Sequence, residues 1–264
     1  MDAKDLIKAG KLSEARVQLA EEVKAKPGDI GKRTLLFQVL AFCGEWDKAE
    51  RHLDAIGAQD VAADIGVQVY RNLLCAERNR IAVSNLKHRP SFLPETPSYL
   101  ETYYAAWTKV SEQKIEEAKA LFDQIDAQRP VVSGTVNGKR FTDFKDTDSF
   151  LSLFLEGIVH ERYVWIPFES IRELVVSAPK TLFDLLWITA HITTWEGLTM
   201  NCYLPVLYPE SFLHKDDRVK LGRMTDWHPL GGPFTKGNGQ HVFQVGEKEL
   251  GILEIREALF NPPE

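Results

Sequence analysis

The stretch AGKLSEARVQLAEEVKAKPGD, residues 9–29, decides the fold because its pattern returns twice further along the chain. A shift of 34 residues reaches the second copy, and the third copy covers residues 111–130. In each copy an alanine is followed four positions later by a large apolar residue. The shared positions are the glycines Gly10 and Gly44, the alanines Ala15, Ala49 and Ala118, the apolar residues Leu19, Leu53 and Phe122, and the prolines Pro27 and Pro130.

This repeat has the period and the residue pattern of a tetratricopeptide helical hairpin. Glycine can adopt the left-handed conformation that ends a helix, alanine lets two helices approach closely, and proline stops the second helix. Such hairpins bury their apolar faces only by stacking on one another. We therefore predict that residues 1–130 form an all-α domain of tetratricopeptide-like repeats. The prolines Pro90, Pro94 and Pro97 predict an extended crossing segment within it.

After Pro130 the apolar pattern changes to a period of about two, which is typical of strands. Asn137-Gly138 predicts a two-residue hairpin. Tyr163–Phe168 is apolar on both faces, which predicts a doubly buried strand with Pro167 at its end. The glycine-rich stretch Gly231–Gln240 is interpreted as a flexible surface loop. We predict that residues 131–264 form an α+β domain with a small, strongly bent β-barrel or sheet.

Composition argues against several kinds of partner. The chain of 264 residues has a formal net charge of −6, so no nucleic-acid partner is expected. No apolar run reaches the roughly 20 residues of a membrane span, so no membrane partner is expected. Cys43, Cys75 and Cys202 lie far apart, and the first residues lack the apolar run of a signal peptide. These features favour a cytoplasmic protein with reduced thiols.

The sequence contains no recognisable catalytic motif. The seven histidines are scattered without metal-ligand spacing, and the glycine-rich stretch lacks the spacing of a phosphate-binding loop. We therefore expect no catalytic, cofactor-binding or metal-binding residues. One enzymatic alternative stays open: a hydrolase at the seam between the two halves, which would need His160, Glu161 and Asp148 to converge in one pocket.

A basic helix and a following aromatic helix are candidates for a partner-binding groove. The helix from Tyr70 to Arg89 contains five basic residues and one acid, which could attract an acidic segment of a partner. A solvated basic face and an aromatic core are the alternative interpretations. The candidate partner-binding residues are Tyr70, Arg71, Arg78, Arg80, Tyr103 and Trp107.

Four stretches resemble the ImpE/SciE family, also called TagJ, whose members are accessory proteins of bacterial type VI secretion systems. The stretches are Leu6–Ile56, Asp146–Ile171, Asp184–Trp187 and Leu221–Trp227, of which Tyr163–Ile171 is the most specific. The family usually has an Asn-Gly turn where this chain has His160-Glu161.

This resemblance implies helical repeats followed by an α+β part with an SH3-like barrel sheet. It also implies a non-enzymatic cytoplasmic adaptor that binds the N-terminal helix of the small contractile-sheath subunit, TssB. The adaptor would assist sheath assembly or disassembly, with the disassembly ATPase, ClpV, as an indirect partner. An oligomeric scaffold without a helix client is the remaining alternative.

Overall fold

The chain has a mixed α+β fold in which helices come first and strands dominate the second half. The computed structural model describes residues 2–59 and 64–263. The helices are α1 (Ala3–Lys8), α2 (Leu12–Ala25), α3 (Ile30–Phe42), α4 (Trp46–Gln59), α5 (Asp64–Ser84), α6 (Leu100–Ser111), α7 (Ile115–Asp126) and α8 (Asp217–Lys220). Within these ranges no helix is both long enough and apolar enough to cross a membrane.

The described part of the chain contains fourteen strands, numbered in chain order. They are β1 (Ser91–Phe92), β2 (Gly134–Val136), β3 (Lys139–Phe141), β4 (Phe144–Asp146), β5 (Phe154–Val159), β6 (Arg162–Pro167), β7 (Ile171–Val176), β8 (Trp187–Thr194), β9 (Thr199–Pro205), β10 (Thr225–Gly231), β11 (Phe234–Gly239), β12 (Val242–Val245), β13 (Lys248–Gly251) and β14 (Glu257–Phe260). They form a nine-stranded sheet in the order β1-β6-β5-β9-β8-β7-β14-β2-β3, a β13-β12-β4 sheet and a β10-β11 hairpin.

The three sequence repeats share one turn geometry. Gly10 and Gly44 have φ angles of 78° and 67°, and Gln113 takes the equivalent place in the third copy with a φ of 59°. The next residue in each turn donates its N–H to a carbonyl five residues earlier, as Lys11 does to Leu6 at 2.9 Å. This is the Schellman pattern, which satisfies the last carbonyls of the preceding helix. The repeat positions therefore mark equivalent turns, although one copy has no glycine there.

The repeat alanines lie where helices meet. Ala15, Ala49 and Ala118 are completely buried, and the helix pairs α1–α2, α3–α4 and α6–α7 pack against each other. A methyl side chain at these positions allows close approach of two helix backbones. The helical character of the first half is thus confirmed, whereas its assignment to the tetratricopeptide class stays a prediction.

Strand β6 is buried on both faces, as its apolar sequence predicts. Val164, Trp165 and Ile166 are completely inaccessible to solvent, and Pro167 ends the strand. Strand β1, within the predicted crossing segment, pairs in parallel with β6 and places Phe92 beside Trp165. The first half therefore contributes a strand to the large sheet. The boundary between residues 130 and 131 and the SH3-like description stay predictions.

The predicted flexible loop at residues 231–240 is instead mostly strand β11, which pairs with β10. Phe234 is buried against the rings of Trp107 and Phe122. A side chain at Gly237 would collide with the ring of Tyr208. Gly237 is therefore required for close packing rather than for flexibility. The glycine-rich sequence does not by itself indicate this packing requirement.

The first helices are attached to the second half by specific contacts. Asp217 accepts hydrogen bonds from the Ser13 N–H at 2.7 Å and the Ser13 hydroxyl at 2.9 Å. Arg223 donates to the carbonyls of Ile7 and Lys8 at 2.7 and 2.6 Å. The negative carboxylate of Asp217 thus lies at the N-terminus of α2, and the positive guanidinium of Arg223 lies at the C-terminus of α1. Both placements are favourable to the helix dipole.

We expect Gly44→Ala to destabilise the protein more than Gly138→Ala. Both glycines have left-handed φ angles, of 67° and 76°, so alanine costs roughly 1–2 kcal/mol at either position. At Gly44 the new methyl group would also collide with the ring of Phe212, whereas the space around Gly138 is open. Overpacking adds about 1–3 kcal/mol. Urea denaturation measures the difference, and equal losses would contradict the packing of this turn against Phe212.

Candidate functional site

The most unusual feature of the structure is a charged network buried between α5 and the sheets. The Arg80 side chain on α5 is 3% exposed. Its Nε donates to both carboxylate oxygens of Glu156 at 3.0 Å, and its Nη1 donates to Glu77 at 3.2 Å. Its Nη2 donates to the carbonyl of Leu207 at 2.5 Å. One guanidinium therefore joins the helix to β5 and to the segment after β9.

A histidine extends this network to the three-stranded sheet. His241 is 2% exposed, and its Nδ1 lies 2.7 Å from Asp146 while its Nε2 lies 2.8 Å from Glu156. Both ring nitrogens face carboxylate oxygens, which accept but do not donate hydrogen bonds when ionised. Because only the charged imidazolium has two N–H donors, His241 is the positive partner of two acids.

Aromatic side chains supply the remaining hydrogen bonds to the buried carboxylates. The Tyr163 hydroxyl donates to Glu156 at 2.6 Å and accepts the Trp165 indole N–H at 2.6 Å. The Trp187 indole donates to Glu77 at 2.8 Å, and the Tyr208 hydroxyl donates to Asp146 at 2.6 Å. Buried charges are tolerated only when such partners replace water.

The pKa values follow from burial and from these partners. Burial raises the pKa of Glu156, but Arg80 and His241 outweigh it and hold this pKa at about 2. Burial lowers the pKa of His241, but Asp146 and Glu156 outweigh it and raise this pKa to about 9. Burial and then the neighbouring Asp146 raise the pKa of Asp148 to about 7. The network therefore holds fixed charges at neutral pH, with Asp148 close to its titration point.

The three residues of the seam-hydrolase alternative do not converge. Asp148 is buried and accepts hydrogen bonds from the Gly237 and Phe150 N–H groups at 2.7 and 2.8 Å. His160 and Glu161 are exposed in the turn that follows β5. Asp148 precedes that strand, whose six residues span roughly 20 Å. This arrangement cannot bring the three groups to one reacting atom.

Three of the predicted partner-binding residues are inaccessible. Arg80, Tyr103 and Trp107 are 3%, 0% and 4% exposed. Arg80 belongs to the buried charged network of Glu77, Arg80, Asp146, Glu156 and His241, which we name the junction network. The two aromatic rings pack against Phe122 and Phe150. Their burial is incompatible with lining an open groove, because their side chains are already enclosed by the protein itself. Tyr103 and Trp107 are therefore core residues, as the alternative interpretation of the aromatic helix predicts.

The other three predicted residues lie nearer the surface but contact the chain's own groups. Tyr70 is half-buried and stacks on Phe183 with ring centroids 4.2 Å apart. Arg71 pairs with Asp54 at 2.6 Å, and Arg78 pairs with two acids of α4, Asp47 at 3.0 Å and Glu50 at 2.6 Å. The basic helix face is therefore largely neutralised by α4.

An accessible groove runs between the first half of α5 and the face of the large sheet. Its volume is 480 Å³. Val69 and Asn72 form the helical side, and Ile158, Val175 and Tyr203 are among the residues of the sheet side. Ile65, one helical turn before Val69, is 84% exposed. We name this feature the α5–sheet groove.

Comparison with known proteins identifies the family. The chain is 34% identical over 262 residues to the type VI secretion system accessory component TagJ of Pseudomonas aeruginosa, covering 99% of this chain and 92% of that protein. The family model described as ImpE protein matches residues 138–259. The chain belongs to the ImpE family. The predicted resemblance is thereby confirmed.

A crystal structure shares the fold along nearly the whole chain. Protein VPA1032 from Vibrio parahaemolyticus superposes with a TM-score of 0.86 and is 22% identical in sequence. The match covers 98% of this chain and 97% of that protein. This chain and that solved structure therefore share the same overall arrangement of helices and sheets.

Sequence reasoning missed the junction network. Glu156 carries the available signal, because it is a lone acid within the apolar run Phe154–Val159. A charge in such a run predicts a buried partner. The sequence does not say which base pairs with it, since Arg80 and His241 lie 76 and 85 residues away along the chain.

We expect Arg80→Met to cost roughly 3–5 kcal/mol of folding free energy, because it leaves Glu77 buried without its cation and Glu156 with only His241. Arg78→Met on the same helix is the matched control. Its guanidinium is 39% exposed, and exposed pairs contribute less than about 1 kcal/mol. Denaturant titration of both variants measures the difference. Similar losses would show that the buried pair is not what joins α5 to the sheets.

We expect stability to fall as pH rises from about 6.5 to 9 because of His241. Its folded pKa is raised from 6.5 to about 9, so its contribution is complete below pH 6.5 and is lost as pH passes the folded value. The full shift corresponds to roughly 3 kcal/mol. Urea denaturation at several pH values across this range should show that the free energy of unfolding changes less with pH in His241→Gln than in the wild-type protein. If this pH dependence is the same in both proteins, another titrating group causes it.

Proposed function

We propose that this chain is a non-enzymatic cytoplasmic accessory adaptor of a bacterial type VI secretion system. The observation that carries the proposal is the 34% identity to TagJ over 99% of the chain, since that relative is a type VI accessory component. The junction network adds support. Its carboxylates are saturated by partners within the protein, which is typical of a structural network rather than of a site that must receive a substrate.

The proposed client is the N-terminal helix of the small sheath subunit TssB. An amphipathic helix presents apolar side chains at positions i, i+3, i+4 and i+7, and it needs an elongated groove with apolar walls. By holding this helix, the adaptor would assist assembly or disassembly of the sheath. The disassembly ATPase, ClpV, would then be an indirect partner.

The α5–sheet groove is the proposed docking site for that helix. Ile65 and Val69 are separated by four residues and so lie on one face of α5. Ile65 is 84% exposed, so its side chain offers apolar surface that a client could cover. Val175 is 38% exposed on the opposite wall. A client helix in the groove that extended one helical turn beyond Val69 would remove both Ile65 and Val175 from water.

Charge would have a secondary role at this site. Arg71 lies two residues after Val69 and is 36% exposed, but it already pairs with Asp54. An acidic client would have to compete for this guanidinium. Salt screens such rim contacts, so they would change the association rate more than the affinity.

We expect Ile65→Glu to weaken binding of a synthetic TssB N-terminal peptide by at least about tenfold, because burial of an apolar side chain is worth roughly 1.5–3 kcal/mol. Val17→Glu is the matched control. Val17 is an exposed apolar residue of α2, at 60% exposure, and α2 contributes no residue to the groove, whereas α5 contributes Val69 and Asn72. Isothermal titration calorimetry gives both affinities.

The outcomes separate the site from the function. Equal affinity of wild type and Ile65→Glu would place the client elsewhere and leave the adaptor proposal intact. Equal weakening by Ile65→Glu and Val17→Glu would indicate a non-specific charge effect. Failure of the wild-type protein to bind the peptide would contradict the adaptor proposal itself.

A further inference from the structure

Two histidines and one aspartate come together on a surface away from the junction network and the α5–sheet groove. His214 follows a short 3-10 turn at residues 211–213, and Asp226 and His228 lie on β10. One ligand atom from each of the three side chains lies within 4.8 Å of the other two. The sequence alone does not indicate this cluster, because His214 and Asp226 are 12 residues apart along the chain.

The backbone explains why these groups meet. Side chains alternate along a strand, so Asp226 and His228 point to the same side of β10 while Trp227 points to the other. His214 then approaches that side, with its Nε2 3.1 Å from the Asp226 carboxylate. The two imidazole rings have centroids 6.4 Å apart. His214 is only 10% exposed, so its position is held by the surrounding protein.

We propose that His214, Asp226 and His228 bind a divalent late first-row transition metal of the Zn²⁺ class. Two imidazole nitrogens and one carboxylate are ligands that such ions prefer, whereas Mg²⁺ and Ca²⁺ prefer oxygen ligands alone. Metal–ligand distances are about 2.0–2.2 Å. Small side-chain movements bring three atoms within 4.8 Å of one another to that distance, and water completes the coordination.

The neighbouring charges are compatible with a cation. Lys236 lies directly across from His228 in the β10–β11 hairpin. Its ammonium is paired with Glu210 at 2.8 Å. Arg218 is paired with Asp216 at 2.6 Å. Asp226 therefore supplies a negative charge to the cluster, and among the described residues it forms no salt bridge with a lysine or an arginine.

The metal would replace a hydrogen bond rather than enter an empty cage. The His214 Nδ1 accepts the N–H of Asp216 at 3.0 Å, so the ring proton lies on Nε2 and faces Asp226. When Nε2 binds the metal, this proton moves to Nδ1 through solvent and the contact with the Asp216 N–H is lost. Losing such an orienting contact weakens metal sites by roughly 10- to 100-fold. The site is therefore weaker than one with a supporting carboxylate.

Metal binding would connect two segments that also hold the first helices. The 3-10 turn before His214 includes Phe212, which contacts the α3–α4 turn at Gly44. Arg223, three residues before Asp226, holds the end of α1. A bound ion would therefore fix the segment that contains His214 against β10. Because this segment and Arg223 contact the first helices, the ion would also limit movement of those helices relative to β10.

The test is calorimetric titration of the chelator-treated full chain with Zn²⁺ alone. The titration uses a Cys75→Ser background, because Cys75 is an exposed thiol that can itself bind Zn²⁺. We expect one Zn²⁺ per chain and no heat with Mg²⁺. His228→Gln should weaken Zn²⁺ binding by at least about tenfold. Since His228 is exposed, this variant should stay folded.

His160→Asn is the matched control, because His160 is an exposed histidine in a distant turn and should not affect binding. Absorption of the Co²⁺-loaded protein should show d–d bands without thiolate charge transfer. Absence of Zn²⁺ binding in the Cys75→Ser background would overturn the proposal. Equal affinity of wild type and His228→Gln, or equal weakening by His160→Asn, would also overturn it.

Discussion

The burial of Arg80 is the constraint on which the junction of helix and sheet depends. A guanidinium that is 3% exposed loses its hydration, and only several well-placed acceptors can compensate for that loss. Glu77 supplies one from the same helix, while Glu156 and the Leu207 carbonyl supply others from the second half. These acceptors lie on separate elements, so α5 has only one position relative to the sheets in which all contacts form.

This constraint also determines which surfaces remain for a partner. Stacked helical hairpins commonly use an exposed concave face for binding. Here several aromatic side chains of the first helices contact the second half of the chain: Tyr70 and Phe37 pack on Phe183, and Tyr103 and Trp107 pack on Phe150. The α5–sheet groove stays accessible because Val69 and Asn72 are only partly buried, although Val67 and Leu73 beside them on the same helix are buried. The proposed docking site is thus a consequence of how the two halves attach.

Local features were predictable where short-range physics decides them. The Asn137-Gly138 hairpin forms with φ angles of 49° and 76°, as its residues demand. The short stretch Tyr163–Phe168, apolar on both faces, identified the buried strand β6. Prediction was weaker where packing overrides composition. Glycine-rich residues 234–239 form a strand because Gly237 lies against Tyr208, and the basic helix contains one arginine that is buried and another that is exposed.

The sequence alone therefore determined the helical repeats with their turns, the change to strands after Pro130 and the family. The tertiary structure decided the partners of every buried charge. Arg78 and Arg80 differ by two positions on one helix, and residues so spaced point to different sides. One faces α4 and solvent, while the other faces Glu156. Residue type sets the cost of burying a charge, but which charge is buried depends on contacts between residues far apart in the chain.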